Sequence, residues 1–184
     1  MRGRLAVLSG FLLCAFTSSS GELSSHAKEG AMVLRITSPE FSEGEVIPKR
    51  FTCDAQDVSP KLEWKEPPAN TQSIALLMDD PDAPGGTWVH WVLFDLSANT
   101  RELPEGVAKQ EQLASGARQG RNDFGAIGYN GPCPPPGKPH RYFFKLYALD
   151  AKLGLKAGAT KAELERTMKS HILAQAQLIG KYGR

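Results

Sequence analysis

No stretch of the chain offers the roughly 20 consecutive apolar residues that a membrane helix needs; the longest apolar run, residues 5–16, is too short for a permanent span. Charge of one sign is also lacking. The 22 Lys and Arg stand against 20 Asp and Glu, with no Lys/Arg run. That balance lacks the electrostatic footprint of a nucleic-acid binder and sets that class aside. No Gly-x-Ser-x-Gly elbow or other activated nucleophile is apparent, so catalysis has no positive signal and the chain is read as a non-enzyme. Cysteine is scarce, limited to Cys14, Cys53 and Cys133. Neither an internal repeat nor an interdomain linker interrupts the chain, which suits one domain with one core.

What is present begins with an export signal. Arg2 and Arg4 precede the apolar run, and Thr17, Ser18, Ser19 and Ser20 follow it, the pattern of a secretory signal peptide over residues 1–20. Cleavage after Ser20 or after Ala27 satisfies the small-residue requirement, and the two stay open. Leu13 before Cys14 counts against lipoprotein anchoring. Cutting after Ser20 removes Arg2 and Arg4 and leaves 20 basic against 20 acidic residues, a neutral periplasmic or secreted protein with no stable membrane insertion. Residues 21–31, rich in Ser, Gly and charge, read as a flexible mature N-terminus, and residues 32–184 as the domain. Export permits a disulfide between Cys53 and Cys133; two buried free thiols are the alternative.

The domain reads as mainly β. Residues 32–36, 46–51 and 61–64 are expected as short strands. Residues 73–78 are apolar at both parities, as in a strand covered on both faces, with Ile74, Leu76 and Met78 on one side and Ala75 and Leu77 on the other. Pro81 and Pro84 remove backbone donors, so Asp80 and Asp82 are expected in a rigid loop at the sheet edge. After Gly85 and Gly86 the next strand alternates, which places His90 with Trp88, Val92 and Phe94 and opposes it to Val89, Trp91 and Leu93. Residues 128–142 form a stiff Pro/Gly loop that keeps a few backbone donors near Gly131 and Gly137, where a backbone approaches an anion closely. The loop feeds a strand in which His140, Tyr142, Phe144 and Leu146 share one face and Arg141 the other. Taken alone, a turn of this composition and a lone strand histidine are ordinary structural features.

Together these motifs resemble the phosphatidylethanolamine-binding protein family, in its bacterial Raf-kinase-inhibitor-like (YbhB/YbcL) branch. The resemblance rests on Asp57-Val58-Ser59-Pro60-Lys61-Leu62-Glu63-Trp64, Asp80-Pro81-Asp82-Ala83-Pro84, His90-Trp91, Gly120-Arg121-Asn122-Asp123-Phe124-Gly125, and Gly131-Pro132-Cys133-Pro134-Pro135 through His140-Arg141-Tyr142, and covers residues 32–184. It implies an antiparallel β-sandwich with a small pocket for phosphate or phosphorylated head groups, lined here by Asp80, Asp82, His90, Gly131, His140 and Tyr142.

Two imidazoles, the Tyr142 hydroxyl and backbone N–H groups near Gly131 are expected to donate to such an anion, with Asp80 or Asp82 holding a ring N–H of His90. No cofactor is implied. Competing readings of the same residues are a divalent metal site, a His/Asp hydrolase, and a protein-binding inhibitor of kinase- or protease-inhibitor type. A protein partner and a homodimer stay open. Residues 97–127 read as a long loop walling the pocket. At the C-terminus Thr160 and Glu163 form a capping box, and Leu164, Met168, Ile172, Ala176 and Ile179 recur at helical spacing. An amphipathic helix ending at Gly180 is expected there, with His171 as a structural or surface residue.

Overall fold

The computed structural model describes residues 34–184, so the expected signal peptide of residues 1–20 and the stretch 21–31 expected to follow it lie outside the described residues. Two antiparallel sheets form the domain. The smaller has the order β1-β2-β5 and the larger β6-β4-β3-β7-β8. Their elements are β1 (Ile36–Thr37), β2 (Leu62–Trp64), β3 (Ser73–Asp80), β4 (Trp88–Ser97), β5 (Glu102–Leu103), β6 (Arg118–Gln119), β7 (His140–Leu149), α1 (Lys161–Met168) and β8 (Ile172–Tyr182).

Strand β3 lies at the centre of the large sheet, and its apolar residues at both parities are explained by two cores. Ile74, Leu76 and Met78 join Phe144, Leu146, Leu62 and Trp64 between the sheets. Ala75 and Leu77 face the other way and are covered by Leu164 and Met168 of α1. The strand runs two residues beyond its apolar stretch. Asp79 and Asp80 both pair in the ladder, opposite Val89 and Trp88, so Asp80 closes the strand and does not belong to the loop expected for it. Pro81 sets the boundary one residue later because it has no N–H to offer.

Strand β4 departs from simple alternation. Met78 pairs with Trp91 but Asp79 pairs with Val89, which leaves His90 as an extra residue on a β-bulge. The bulge moves Val89 onto the helix-covered face with Val92 and Phe94, and turns His90 toward Tyr142 on the inter-sheet face with Trp91. Period-two reasoning put His90 on the wrong side for this reason.

Three other expectations are corrected. Residues 46–51 are not a strand: Pro48 lacks a donor, Val46 makes a single bridge to Lys181, and Lys49–Phe51 is a 3-10 turn. Residues 97–127 contain two short strands, β5 and β6, within irregular chain. The C-terminal helix stops at Met168. Its capping box is present, with the Thr160 hydroxyl accepting from the Glu163 N–H and the Glu163 carboxylate accepting from the Thr160 N–H. Residues from Ile172 onward instead form β8, paired with β7 from Ile172 opposite Leu149 to Tyr182 opposite His140. Residues four apart share a face in a helix and in a strand, so Leu164, Met168, Ile172 and Ala176 fit either period. The unpaired edge of β7 decides it, since its backbone groups need a ladder.

Candidate functional site

The end of β3 sends neighbouring carboxylates to opposite faces. Asp79 points to the helix side, where its Oδ2 accepts from Lys145 at 2.9 Å and Lys161 at 2.5 Å. Asp80 points to the inter-sheet side, where its Oδ2 accepts from Nδ1 of His140 at 2.8 Å. The other Asp80 oxygen takes the Asp82 N–H at 2.8 Å and closes the proline turn. Both members of the Asp80–His140 pair are largely buried.

Asp82 is not part of that pair. Its carboxylate receives the Arg141 N–H and Nε at 2.9 Å each and Nη2 at 2.7 Å. These Arg141 hydrogen bonds hold its carboxyl at about 2, below the ordinary 3.8. Asp82 therefore braces the start of β7 from outside, and Arg141, on the face opposite His140, is the residue it grips.

His90 has a partner that sequence reasoning did not anticipate. Its Nδ1 lies 2.7 Å from the carbonyl of Asn130, not against Asp80 or Asp82. A carbonyl only accepts, so Nδ1 carries the hydrogen and Nε2 is left for a ligand. Burial pushes the His90 pKa down, outweighing the Asn130 carbonyl and the Asp80 charge, which pull it up. The neutral ring stands edge-on to Tyr142 and to Phe124, each with centroids 5.2 Å away. Phe124 meets the half-exposed Trp88 at 5.5 Å in the same edge-on manner. The loop around residue 124 thus does wall this end of the sheet.

Asn130 is itself fixed. Its N–H donates to the His90 carbonyl at 3.1 Å, and its side-chain oxygen accepts from Asn122 at 2.8 Å. Next to it, the Gly131 N–H donates to Asp57 Oδ1 at 2.6 Å, so this donor is not free for an anion as expected. Gly131 is present for closeness: a Cβ there would lie 2.1 Å from the Phe51 carbonyl oxygen. Asp57 also pairs with Lys109 at 2.7 Å and adopts a left-handed φ of 55°. Its motif was visible in the sequence, but only the fold brings it under residue 131. Cys53 and Cys133 are joined by a disulfide, with Cα atoms 5.4 Å apart, which ties the same loop to the 3-10 turn.

Tyr142 completes the set. The residue is fully buried and its hydroxyl has no hydrogen-bond partner among the described residues. Burial, then the nearby Asp80 carboxylate, push its pKa well up, so it stays a neutral hydroxyl that can donate. A buried hydroxyl without a partner costs about 1–3 kcal/mol, which a ligand oxygen would recover. Among the described residues no three His, Cys, Asp or Glu side chains are grouped to hold a metal ion, and no helix is long and apolar enough to cross a membrane. His171, away from the site, pairs with Asp150 at 2.8 Å.

Two antiparallel sheets with a carboxylate-bound histidine, a bulged histidine and a buried tyrosine at one strand end define a mostly β protein with a small polar site between its sheets. The chain belongs to the phosphatidylethanolamine-binding protein family, whose model matches residues 37–183. It is 50% identical over 157 residues to a UPF0098 protein of Aquifex aeolicus, an alignment covering 84% of this chain and 91% of that one. Among solved structures it is similar to Escherichia coli YbcL, with a TM-score of 0.77, 34% identity and coverage of 82% of this chain and 98% of the other. It is equally close to a PEBP homolog, CT736, from Chlamydia trachomatis, with a TM-score of 0.76, 39% identity and coverage of 83% and 98%.

Proposed function

We propose that the domain is an exported binding protein whose inter-sheet site takes phosphate or a phosphorylated head group without transforming it. The observation that carries this reading is the Tyr142 hydroxyl, buried and unpartnered beside the Asp80–His140 pair. Asp80 fixes the His140 ring by its Nδ1, which directs Nε2 to the ligand. Tyr142 donates to a ligand oxygen, and His90 supplies the second Nε2. Asp82, Gly131 and Asp57 hold the walls and do not touch the anion. Export is supported by Arg2, Arg4 and the apolar run of residues 5–16, and an oxidising compartment would preserve the Cys53–Cys133 bond.

Calorimetric titration of the purified protein with phosphate and with O-phosphorylethanolamine tests the reading. Binding by the wild type and its loss in His140→Ala are expected. An absence of heat and of thermal stabilisation with both compounds overturns it.

A further inference from the structure

Three basic side chains on the elements around the site have their charged heads engaged by other groups. Arg141 is held by Asp82 and Lys109 by Asp57, while Arg184 donates to the Pro134 carbonyl and lies 3.4 Å from Asp54. The Gly131 N–H is spent on Asp57. What faces the ligand is a carboxylate already bound to an imidazole, a second imidazole, one hydroxyl and, beside that hydroxyl, the Cys133 N–H. No permanent positive charge among them answers an anion.

We propose that the site selects oxyanions that carry an exchangeable acidic hydrogen, namely free phosphate and phosphate monoesters, over phosphodiesters and sulfate esters. The proposal rests on the phosphoryl-binding reading above and names the ligand's chemical class. His90 decides the selection. Because Nδ1 must donate to the Asn130 carbonyl, the neutral ring offers a lone pair at Nε2. An ionised ligand oxygen would meet that lone pair with one of its own. A P–O–H group instead donates to Nε2, while the Tyr142 hydroxyl donates to a remaining oxygen. Equivalently, a dianion arrives and one proton is taken up and shared between the ligand oxygen and Nε2. A phosphodiester or a sulfate ester brings no hydrogen, so it requires a second proton on His90.

Burial outweighs the groups that favour that proton, which are the Asn130 and Gly131 carbonyls and the Asp80 and Asp57 charges. Asp80 of β3 already holds His140, Tyr142 of β7 is neutral, Phe124 is apolar, and Asp57 is compensated by Lys109 and the Gly131 N–H. Burial opposes the extra charge. The second ionisation of a phosphomonoester, near about pH 6, lies where this exchange can run.

The experiment is calorimetric titration of the purified protein at about pH 7.5 with methyl phosphate, dimethyl phosphate and methyl sulfate, repeated in two buffers of different ionisation enthalpy. We expect methyl phosphate to bind at least about tenfold more tightly than the other two, a difference of about 1.4 kcal/mol. Its apparent enthalpy should differ between buffers by the amount for uptake of about one proton, and its affinity should fall about tenfold per pH unit above neutrality. His90→Gln, whose amide can donate, should narrow the preference. Equal affinity for the three compounds, or binding of methyl phosphate without buffer dependence, overturns the selection and leaves the pocket reading standing. Failure of all three to bind, down to about pH 5.5 where imidazoles protonate, removes the pocket reading and this inference with it.

Discussion

Asp79 and Asp80 are chain neighbours on opposite faces of one sheet, and they are neutralised differently. Asp79 is gripped by two lysines, one on β7 and one on α1. Ammonium groups keep their charge across the physiological range, so this cluster is a fixed strut between helix and sheet. Asp80 is matched by His140 alone, through Nδ1, and the second ring nitrogen makes no hydrogen bond among the described residues. Two ammonium groups brace the helix-covered face, and a single imidazole meets the carboxylate on the inter-sheet face.

The inner face has a covalent support that the outer face lacks, and removing it should give the largest effect. Replacing Cys53 and Cys133 by Ser opens a loop with a sequence separation of 80. The expected cost is about 4.5 kcal/mol in chemical denaturation, with the wild type under reductant giving the same loss. Asp79→Ala leaves two lysines without their buried partner and should cost about 3 kcal/mol, while phosphate affinity at a temperature where the variant is folded stays unchanged. Loss of binding there would erase the distinction between the faces. Gly131→Ala forces a methyl onto the Phe51 carbonyl and should cost about 2 kcal/mol, with weaker phosphate binding as the loop shifts. Asp80→Asn should invert the pattern of Asp79→Ala. It loses about 1 kcal/mol of stability, yet phosphate affinity drops at least about tenfold in calorimetry.

The smallest effect is in acid. Asp82 has its carboxyl lowered to about 2 from 3.8, so its contribution is present above 3.8 and lost as pH falls toward 2. His90 has its pKa lowered from 6.5 by burial, so its contribution is present above 6.5 and fades as pH falls below that. Thermal melts of the ligand-free protein should show both declines, the upper one absent in His90→Gln and the lower one in Asp82→Asn.

Parity was a reliable guide wherever strands were regular. It placed Ile74, Leu76 and Met78 against Ala75 and Leu77, as the two cores show, and His140 against Arg141, which meet Asp80 and Asp82 respectively. It failed at His90 because a bulge is a property of two paired strands and leaves no mark in one of them. The Thr160–Glu163 box located the start of α1, since a cap is local. The end of α1 was hidden because four-residue spacing serves both periods, although the alternation Ala174-Gln175-Ala176-Gln177-Leu178 pointed to a strand. Asp57 lay inside a recognised motif, yet its grip on Gly131 spans 74 positions and depends on the fold. The proline-glycine loop announced stiffness but not which of its N–H groups would be consumed internally.

The bond between Cys53 and Cys133 also makes a closed covalent ring that contains β2 through β6, with β1, β7, α1 and β8 outside it. One backbone cut anywhere in that ring would leave the polypeptide a single molecule. The exposed turns around residues 104–106 and 114–116 could be nicked by a protease without releasing a fragment. Such a molecule would run as two pieces on a reducing gel and as one without reductant.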